Sequence, residues 1–252
     1  MIPWLRNLTA VERTSQSNVR LGATLCFVAG ATNAGGFLAV GQYTSHMTGI
    51  VSSVADNLVL GQMALVMSGF AALAMFLAGS MTTTWMVNWA LRRNLKSAFG
   101  QPLLVEALLL LVFGLFGGNI NLLAALIVPL TVLVLCFIMG LQNAVITKIS
   151  NAEIRTTHVT GLITDLGIEL GNLFYINRLQ GKTKVCANRS KLRIHLLLIT
   201  SFFAGGLMGA WGFKTIGFVA TLPLAVWLIL LVWRPVMEDT RHWLQKIAHM
   251  RN

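Results

Sequence analysis

Two copies of a short polar motif contain the side chains best suited to bind a ligand. They are His46-Met47-Thr48-Gly49 and His158-Val159-Thr160-Gly161, and both follow long apolar segments. Imidazole and hydroxyl groups donate and accept hydrogen bonds, and glycine allows the chain to reverse its direction. Each motif therefore predicts a chain reversal and a short helix, with Thr48 or Thr160 capping free backbone N–H groups.

A longer segment before each motif is also duplicated. Cys26–Ala34 aligns with Cys136–Ala144 at a shift of 110 residues, and five of the nine aligned positions are identical. The identical positions include a polar pair, Asn33 and Asn143. Apolar segments match each other easily, but a polar residue and a His-x-Thr-Gly motif recurring in the same order indicate a true duplication.

The polar side chains of the two copies form one predicted substrate site. Its residues are Asn33, His46, Thr48, Gly49, Gln142, Asn143, His158, Thr160 and Gly161. A simpler interpretation places the histidines at the membrane interface and has the asparagines hydrogen-bond neighbouring helices, as polar residues in helical bundles often do. The symmetric recurrence favours binding for the set as a whole.

Two acidic residues are candidates for a coupling ion. Glu106 lies in an apolar segment, where a carboxylate usually faces a cavity or a partner. The alternative is an interfacial position, because Glu106 is only a turn into its predicted helix. Asp165 lies four residues before Glu169, on one helical face just after the second motif. These two carboxylates either bind a cation or, as we favour, pair with the nearby basic loop.

The composition indicates a membrane protein. Of 252 residues, 56% are hydrophobic and 11% charged, which is more apolar surface than one soluble core can bury. The net charge of +11 comes from basic residues that lie between the apolar segments, and no aromatic-basic recognition motif accompanies them. Anionic lipid headgroups rather than nucleic acid are therefore the expected partner. The three cysteines have no metal or redox spacing, and no catalytic motif is present. We therefore expect no cofactor, no metal site and no enzymatic activity.

Six crossings account for the apolar segments, since one crossing needs roughly 20 helical residues. The predicted spans are Leu21–Tyr43, Gln62–Asn88, a hairpin over Leu103–Ile146 with its turn at Gly117–Asn121, and a hairpin over His195–Trp233 broken at Trp211–Lys214. With the N-terminus inside, only Lys214 of the 19 basic residues falls outside. This asymmetry follows the positive-inside rule and predicts that both termini are cytoplasmic.

The duplication divides a single membrane domain, 1–252, into two halves. Because Phe76–Ser80 also aligns with Phe202–Gly206, repeat one covers about 20–117 and repeat two about 122–233. A basic tail, 235–252, either lies at the inner interface or is disordered. Three crossings per repeat invert the second copy relative to the first. The predicted fold is an all-α polytopic transmembrane bundle of about six helices in two inverted-topology three-helix repeats, with short re-entrant or broken helices.

Inverted repeats with broken helices are typical of secondary transporters. The leading hypothesis is a permease that moves an unidentified small molecule or ion by alternating access, and a passive channel is the nearest alternative. A membrane scaffold or sensor would instead hold a cytoplasmic partner on the basic loop 178–193. A membrane enzyme is least favoured, because the two motif histidines lie on opposite sides of the predicted membrane. The sequence leaves homo-oligomerisation open.

Four segments carry a family resemblance. In chain order they are Gly30-x-x-Asn33-Ala34, His46–Gly49, Gln142-Asn143-Ala144 and Thr156–Gly161. Over about 20–233 the sequence resembles the YoaK-like family, which is catalogued mainly as a domain of unknown function. The resemblance implies a multi-pass, permease-type protein of the bacterial inner membrane. Members of the family usually have Asp in place of Asn33 and Asn in place of Ile50. If that Asp carries a proton in relatives, this chain is uncoupled or is coupled elsewhere, through Glu106.

Overall fold

The fold consists of helices. A computed structural model describes Thr9 and residues 13–116, 124–152, 154–177 and 183–251. In this part of the chain there is no β-strand, and a 3-10 helix of one turn, Gly217–Ala220, lies between the last two α-helices. The α-helices are α1 Ser15–Val40, α2 Met47–Val59, α3 Met63–Arg92, α4 Gly100–Phe116, α5 Ala124–Ile149, α6 Val159–Phe174, α7 Arg189–Ile216 and α8 Thr221–Arg251.

Four helical stretches among the described residues are long and apolar enough to cross a membrane. They are Ser15–Ala39, Met63–Arg92, Pro129–Ile149 and Arg189–Arg241. The last stretch has 53 residues and contains α7, the 3-10 helix and most of α8. α4 is apolar but shorter. The predicted all-α fold with several membrane-spanning helices is therefore confirmed.

The predicted break at Trp211–Lys214 is wrong. α7 continues through this segment to Ile216, and the chain turns at Gly217, which has a φ of 62°. That left-handed conformation is open to glycine at little cost. Gly212 stays helical and buried, and a Cβ atom there would lie 3.1 Å from the Ala220 side chain. Gly212 therefore serves close packing, whereas Gly217 makes the turn.

The C-terminal tail is helical to Arg251, so of its two predicted alternatives the disordered one is wrong. It is a continuation of α8 through Pro235 to Arg251. The Asp239 carboxylate accepts hydrogen bonds from the backbone N–H groups of Lys96 at 3.0 Å and Ser97 at 2.8 Å, and so anchors this extension to the turn between α3 and α4. The predicted turn at Gly117–Asn121 lies outside the described residues.

The contact between α1 and α7 depends on two glycines. A Cβ atom at Gly30 would overlap the carbonyl oxygen of Phe202, and one at Gly205 would overlap the carbonyl oxygen of Phe27. Small residues of this kind let helix backbones approach closely. The α1 and α7 backbones therefore touch where these two Phe-x-x-Gly sequences cross.

The contact between α3 and α5 also depends on two glycines. A Cβ atom at Gly79 would overlap the carbonyl oxygen of Phe137, and one at Gly140 would overlap that of Phe76. Each of the four helices thus supplies one Phe-x-x-Gly sequence. Both contacts join a helix from the first half of the chain to one from the second.

Pairs of contacting residues give the helix directions. The pairs are Gly22 with Leu198, Gly35 with Phe213, Leu25 with Gln142, and Gly36 with Leu135. In the first two pairs both residue numbers rise together, so α1 and α7 run parallel. In the last two pairs one number rises as the other falls, so α1 and α5 run antiparallel.

α4 and α8 form a separate antiparallel pair. The Thr221 hydroxyl at the start of α8 donates a hydrogen bond of 2.9 Å to the Leu110 carbonyl late in α4. Gly100 at the start of α4 lies beside Val232. The pair packs against α1, α3 and α5 through the main hydrophobic core.

Replacing Gly30 or Gly140 with alanine will destabilise the protein. The added methyl group meets a backbone carbonyl that cannot move independently, so we expect a loss of about 1–3 kcal/mol in the free energy of unfolding. Denaturation in mixed detergent micelles measures this loss. The matched control is Gly167→Ala on α6, where a Cβ atom has open space. Because alanine favours helix, this control should gain up to about 1 kcal/mol. Equal effects at all three positions would contradict the proposed packing.

Candidate functional site

Asn33 holds the first motif segment against α1. Its Oδ1 atom accepts hydrogen bonds from the backbone N–H of Ser45 at 3.2 Å and from the Ser45 hydroxyl at 2.9 Å. α1 continues seven residues beyond Asn33 to Val40, a rise of about 10 Å. The chain after α1 therefore folds back by roughly two helical turns before α2 begins.

Glycine and a stacked aromatic pair support this fold-back. Gly41 ends α1 with a φ of 73°, and its N–H donates a hydrogen bond to the Phe37 carbonyl. The Tyr43 ring then stacks on the Phe37 ring with 4.5 Å between centroids. Thr44 is fully buried beside Gly36. The segment between α1 and α2 is thus a packed structure.

Asn143 holds the second motif segment in the same way. Its Oδ1 atom accepts hydrogen bonds from the hydroxyls of Thr156 at 3.1 Å and Thr157 at 3.0 Å. Its Nδ2 atom donates to the Met139 carbonyl at 2.9 Å. α5 continues six residues beyond Asn143 to Ile149, a rise of about 9 Å, so this segment also folds back.

Each motif histidine stands at the start of a short helix. α2 begins directly after His46 and α6 directly after His158, and neither helix has a side-chain capping hydrogen bond. The predicted capping by Thr48 and Thr160 is therefore wrong, because both threonines lie inside the helices and are exposed.

The motif glycines make room for the histidine rings. A Cβ atom at Gly49 would overlap the His46 ring, and one at Gly161 would lie 2.8 Å from Nδ1 of His158. Each imidazole thus rests on the first turn of its helix, at the position that glycine leaves open. Both histidines remain exposed.

A cavity of about 260 Å³ lies beside His46, between the fold-back segment, α2 and α3. Its lining residues are Gln42, Tyr43, His46, Gly49, Ile50, Ser53, Asn57, Leu65, Ser68 and Gly69. Of the predicted site, only His46 and Gly49 are among them. A second cavity of about 540 Å³ lies between α1, α7 and α8 and is mainly apolar. Neither cavity is lined by Asn33, Asn143 or His158.

Sequence reasoning missed the polar residues of α2 in this cavity. Ser53 and Asn57 lie four residues apart, on one helical face, and Asn57 Nδ2 donates a hydrogen bond of 3.0 Å to Ser53 Oγ. Their spacing downstream of the first motif is the signal that could have identified them. Gln42 and Tyr43 carried no such signal, because only the fold-back brings them to the cavity.

The second half carries acidic residues at the same distance from its motif. When the two motifs are aligned, at a shift of 112 residues, Ser53 falls on Asp165 and Asn57 on Glu169. Asp165 Oδ2 lies 3.9 Å from His195 Nε2 on α7, and Glu169 Oε2 accepts a hydrogen bond of 2.7 Å from the Asn188 backbone N–H. These carboxylates are therefore engaged by the start of α7 and the end of the basic loop.

Two polar residues with predicted functional roles lie in the core, Gln142 of the substrate site and Glu106 of the coupling site. Gln142 is fully buried, and its Nε2 atom donates a hydrogen bond of 3.2 Å to the Leu25 carbonyl. Glu106, the candidate coupling residue, is 0% exposed, so its side chain does not reach the protein surface. Within the described residues neither Glu106 carboxylate oxygen has a hydrogen-bond partner.

Metal ligation gains no support from the geometry. In the described ranges no three His, Cys, Asp or Glu side chains are grouped closely enough to hold a metal ion. The site is instead built from amide, hydroxyl and imidazole groups around two fold-back segments. Its chemistry is hydrogen bonding.

Comparison with known proteins gives a family for this chain. The Bacillus subtilis (strain 168) protein described as UPF0700 transmembrane protein YoaK is 30% identical over 155 residues, which are 60% of this chain and 67% of that protein. No solved structure matches the chain. The family model described as "Protein of unknown function (DUF1275)" matches residues 21–233. With its several membrane-spanning helices, this multi-pass protein therefore belongs to the DUF1275 family of transmembrane proteins.

Proposed function

We propose that this protein is a secondary transporter, a permease that moves a small solute across a bacterial inner membrane by alternating access. Six helices, α1, α3, α4, α5, α7 and α8, cross the membrane as two inverted-topology repeats, and α2 and α6 are re-entrant. One observation carries the proposal: both motif segments fold back along their helices and are held there by an asparagine.

Helix positions and directions support the inverted repeat. α2 begins at Met47 and α6 at Val159, a shift of 112, while α3 begins at Met63 and α7 at Arg189, a shift of 126. Corresponding helices α1 and α5 run antiparallel. An inverted duplication predicts both properties, because equivalent helices must start at equivalent residues and point in opposite directions.

The fold-back segments support a transport role. Within lipid, non-helical backbone is tolerated only where it is buried in protein or lines a watery cavity. The first segment meets this condition, since Tyr43 and His46 line a cavity. Asn33 and Asn143 each lie C-terminal to the glycine at which their helices meet a partner, Gly30 or Gly140. Because α1 and α5 are antiparallel, the two segments point toward opposite membrane faces, as alternating access requires.

Glu106 is the proposed coupling site. A fully buried carboxylate without a described hydrogen-bond partner is costly among apolar helices and marks a proton or cation pathway. Asp165 is the weaker candidate, because 57% of its side chain is exposed and it faces His195. We assign coupling to Glu106.

The proposed topology predicts opposite accessibility for two positions. Native Cys186 is exposed before α7, whereas Cys26 and Cys136 are buried. In intact cells a membrane-impermeant maleimide should therefore leave the native protein unlabelled and should label Asp56→Cys in a Cys186→Ser background. In permeabilised cells the same maleimide should label both Cys186 of the native protein and the Asp56→Cys variant. Labelling of both positions from the same side would contradict the inverted repeat.

Two replacements of Asn33 test whether its hydrogen bonds are needed for stability and for solute uptake. Asn33→Leu removes the acceptor for two hydrogen bonds and leaves the partly buried N–H and hydroxyl groups of Ser45 without this partner, so we expect a loss of about 1–3 kcal/mol in unfolding free energy and a loss of solute uptake. Asn33→Asp keeps the acceptor oxygen and should retain the fold. Uptake into proteoliposomes and detergent denaturation measure both effects. Normal uptake by a correctly folded Asn33→Leu protein would show that the fold-back is dispensable.

Replacing Glu106 tests coupling. Glu106→Gln has nearly the same shape but cannot exchange a proton, so the variant should still exchange solute across proteoliposomes while losing accumulation driven by a pH gradient. Gln101→Glu at the start of α4 is the control, because it makes the reverse exchange, amide to carboxylate, at another position of the same helix. Accumulation that survives in Glu106→Gln would move the coupling site elsewhere. Flux without saturation in the native protein would favour the passive channel.

A further inference from the structure

We infer that the cavity beside His46 binds a small, uncharged, hydrogen-bonding solute. The inference rests on the proposed transport function and names its substrate class. It concerns the space between the fold-back segment, α2 and α3.

The lining chemistry favours a neutral molecule. Six polar side chains line the cavity, and none of them belongs to Asp, Glu, Lys or Arg. They are Gln42, Tyr43, His46, Ser53, Asn57 and Ser68. A site for an ionic solute typically presents a side chain of opposite charge. Amides and hydroxyls, which both donate and accept hydrogen bonds, match a solute that does the same, such as an amide or a polyol.

The volume indicates a small solute. The cavity measures about 260 Å³. This is below the usual range of pockets for drug-sized ligands, about 300–1,000 Å³.

The second half provides an internal comparison. Asp165 and Glu169 stand where the cavity has Ser53 and Asn57, and at a shift of 126 residues His195 stands where it has Gly69. In the second half Asp165 and His195 face each other at 3.9 Å. In the first half both carboxylates are replaced by neutral side chains and the position of His195 is occupied by glycine, so His46 supplies the imidazole of this cavity. The first half thus has hydrogen-bonding groups where the second half has two carboxylates.

Cysteine protection measures solute binding without relying on transport. Ser68→Cys in a Cys186→Ser background places one reactive thiol in the cavity, since Cys26 and Cys136 are buried. Its reaction with the neutral reagent methyl methanethiosulfonate is followed at pH 8 in the presence of a neutral solute, which is urea, acetamide or glycerol. Parallel samples contain an ion, acetate or guanidinium, at the same concentration. We expect at least one neutral solute to slow labelling at least fivefold and the two ions to have no effect. Ser52→Cys, exposed on α2, controls for general solute effects.

An isosteric pair of variants tests the lining directly. Asn57→Asp puts one negative charge and no added volume into the cavity and should abolish the protection, returning the labelling rate to its value without solute. Asp56→Asn, at the adjacent position outside the lining, should leave protection unchanged. Asn57→Ser provides a neutral variant should Asn57→Asp fail to fold, and it should also weaken protection.

The outcomes separate the two proposals. Protection by acetate or guanidinium, or no protection by any neutral solute, overturns this inference. Flux of the same neutral solutes is measured in parallel in proteoliposomes. Protection without flux supports this inference and overturns the transporter. Saturable flux without protection keeps the transporter and overturns the assignment of this cavity.

Discussion

Close contact between helix backbones is the constraint on which this fold depends. Helices surrounded by lipid gain little from burying apolar side chains against each other, so packing between close surfaces must hold them together. Here that contact occurs at four Phe-x-x-Gly sequences, where a glycine on one helix meets a carbonyl oxygen on its partner. Both pairs, α1 with α7 and α3 with α5, join opposite halves of the chain. Neither half can therefore form its tightest contact alone, and the two halves interlock.

Local properties made most of the fold predictable. Helix existence and approximate length follow from hydropathy, which is why the all-α, membrane-spanning fold was confirmed. The break between α7 and α8 was misplaced because composition does not distinguish a glycine that packs from one that turns. Gly212 lies against Ala220, and Gly217 has the positive φ. The continuation of α8 was missed because its anchor, Asp239 on the α3–α4 turn, is a contact between distant parts of the sequence.

The candidate site was predictable in its motifs but not in its geometry. The recurrence of the motifs identified Asn33, His46, Asn143 and His158, and in the structure each asparagine holds a fold-back segment. It does not bring the two sets together in either described cavity. Tyr43 enters the cavity only because the chain reverses after α1, and a hydropathy pattern contains no information on that reversal. Binding by the full predicted set stays a prediction.

The differences in contacts between the two halves of the chain have an energetic consequence. In a transporter whose halves exchange roles, perfect internal symmetry would make the inward-facing and outward-facing conformations equal in free energy. In the proposed transporter, contacts found in one half of the described chain alone, such as Asp165 with His195 and Glu169 with the Asn188 amide, would remove that degeneracy. A difference of only about 1.4 kcal/mol changes the ratio of two conformations tenfold. Under that proposal, the residues that differ between the two halves would set the ratio of the two resting conformations, in addition to any part they play in binding.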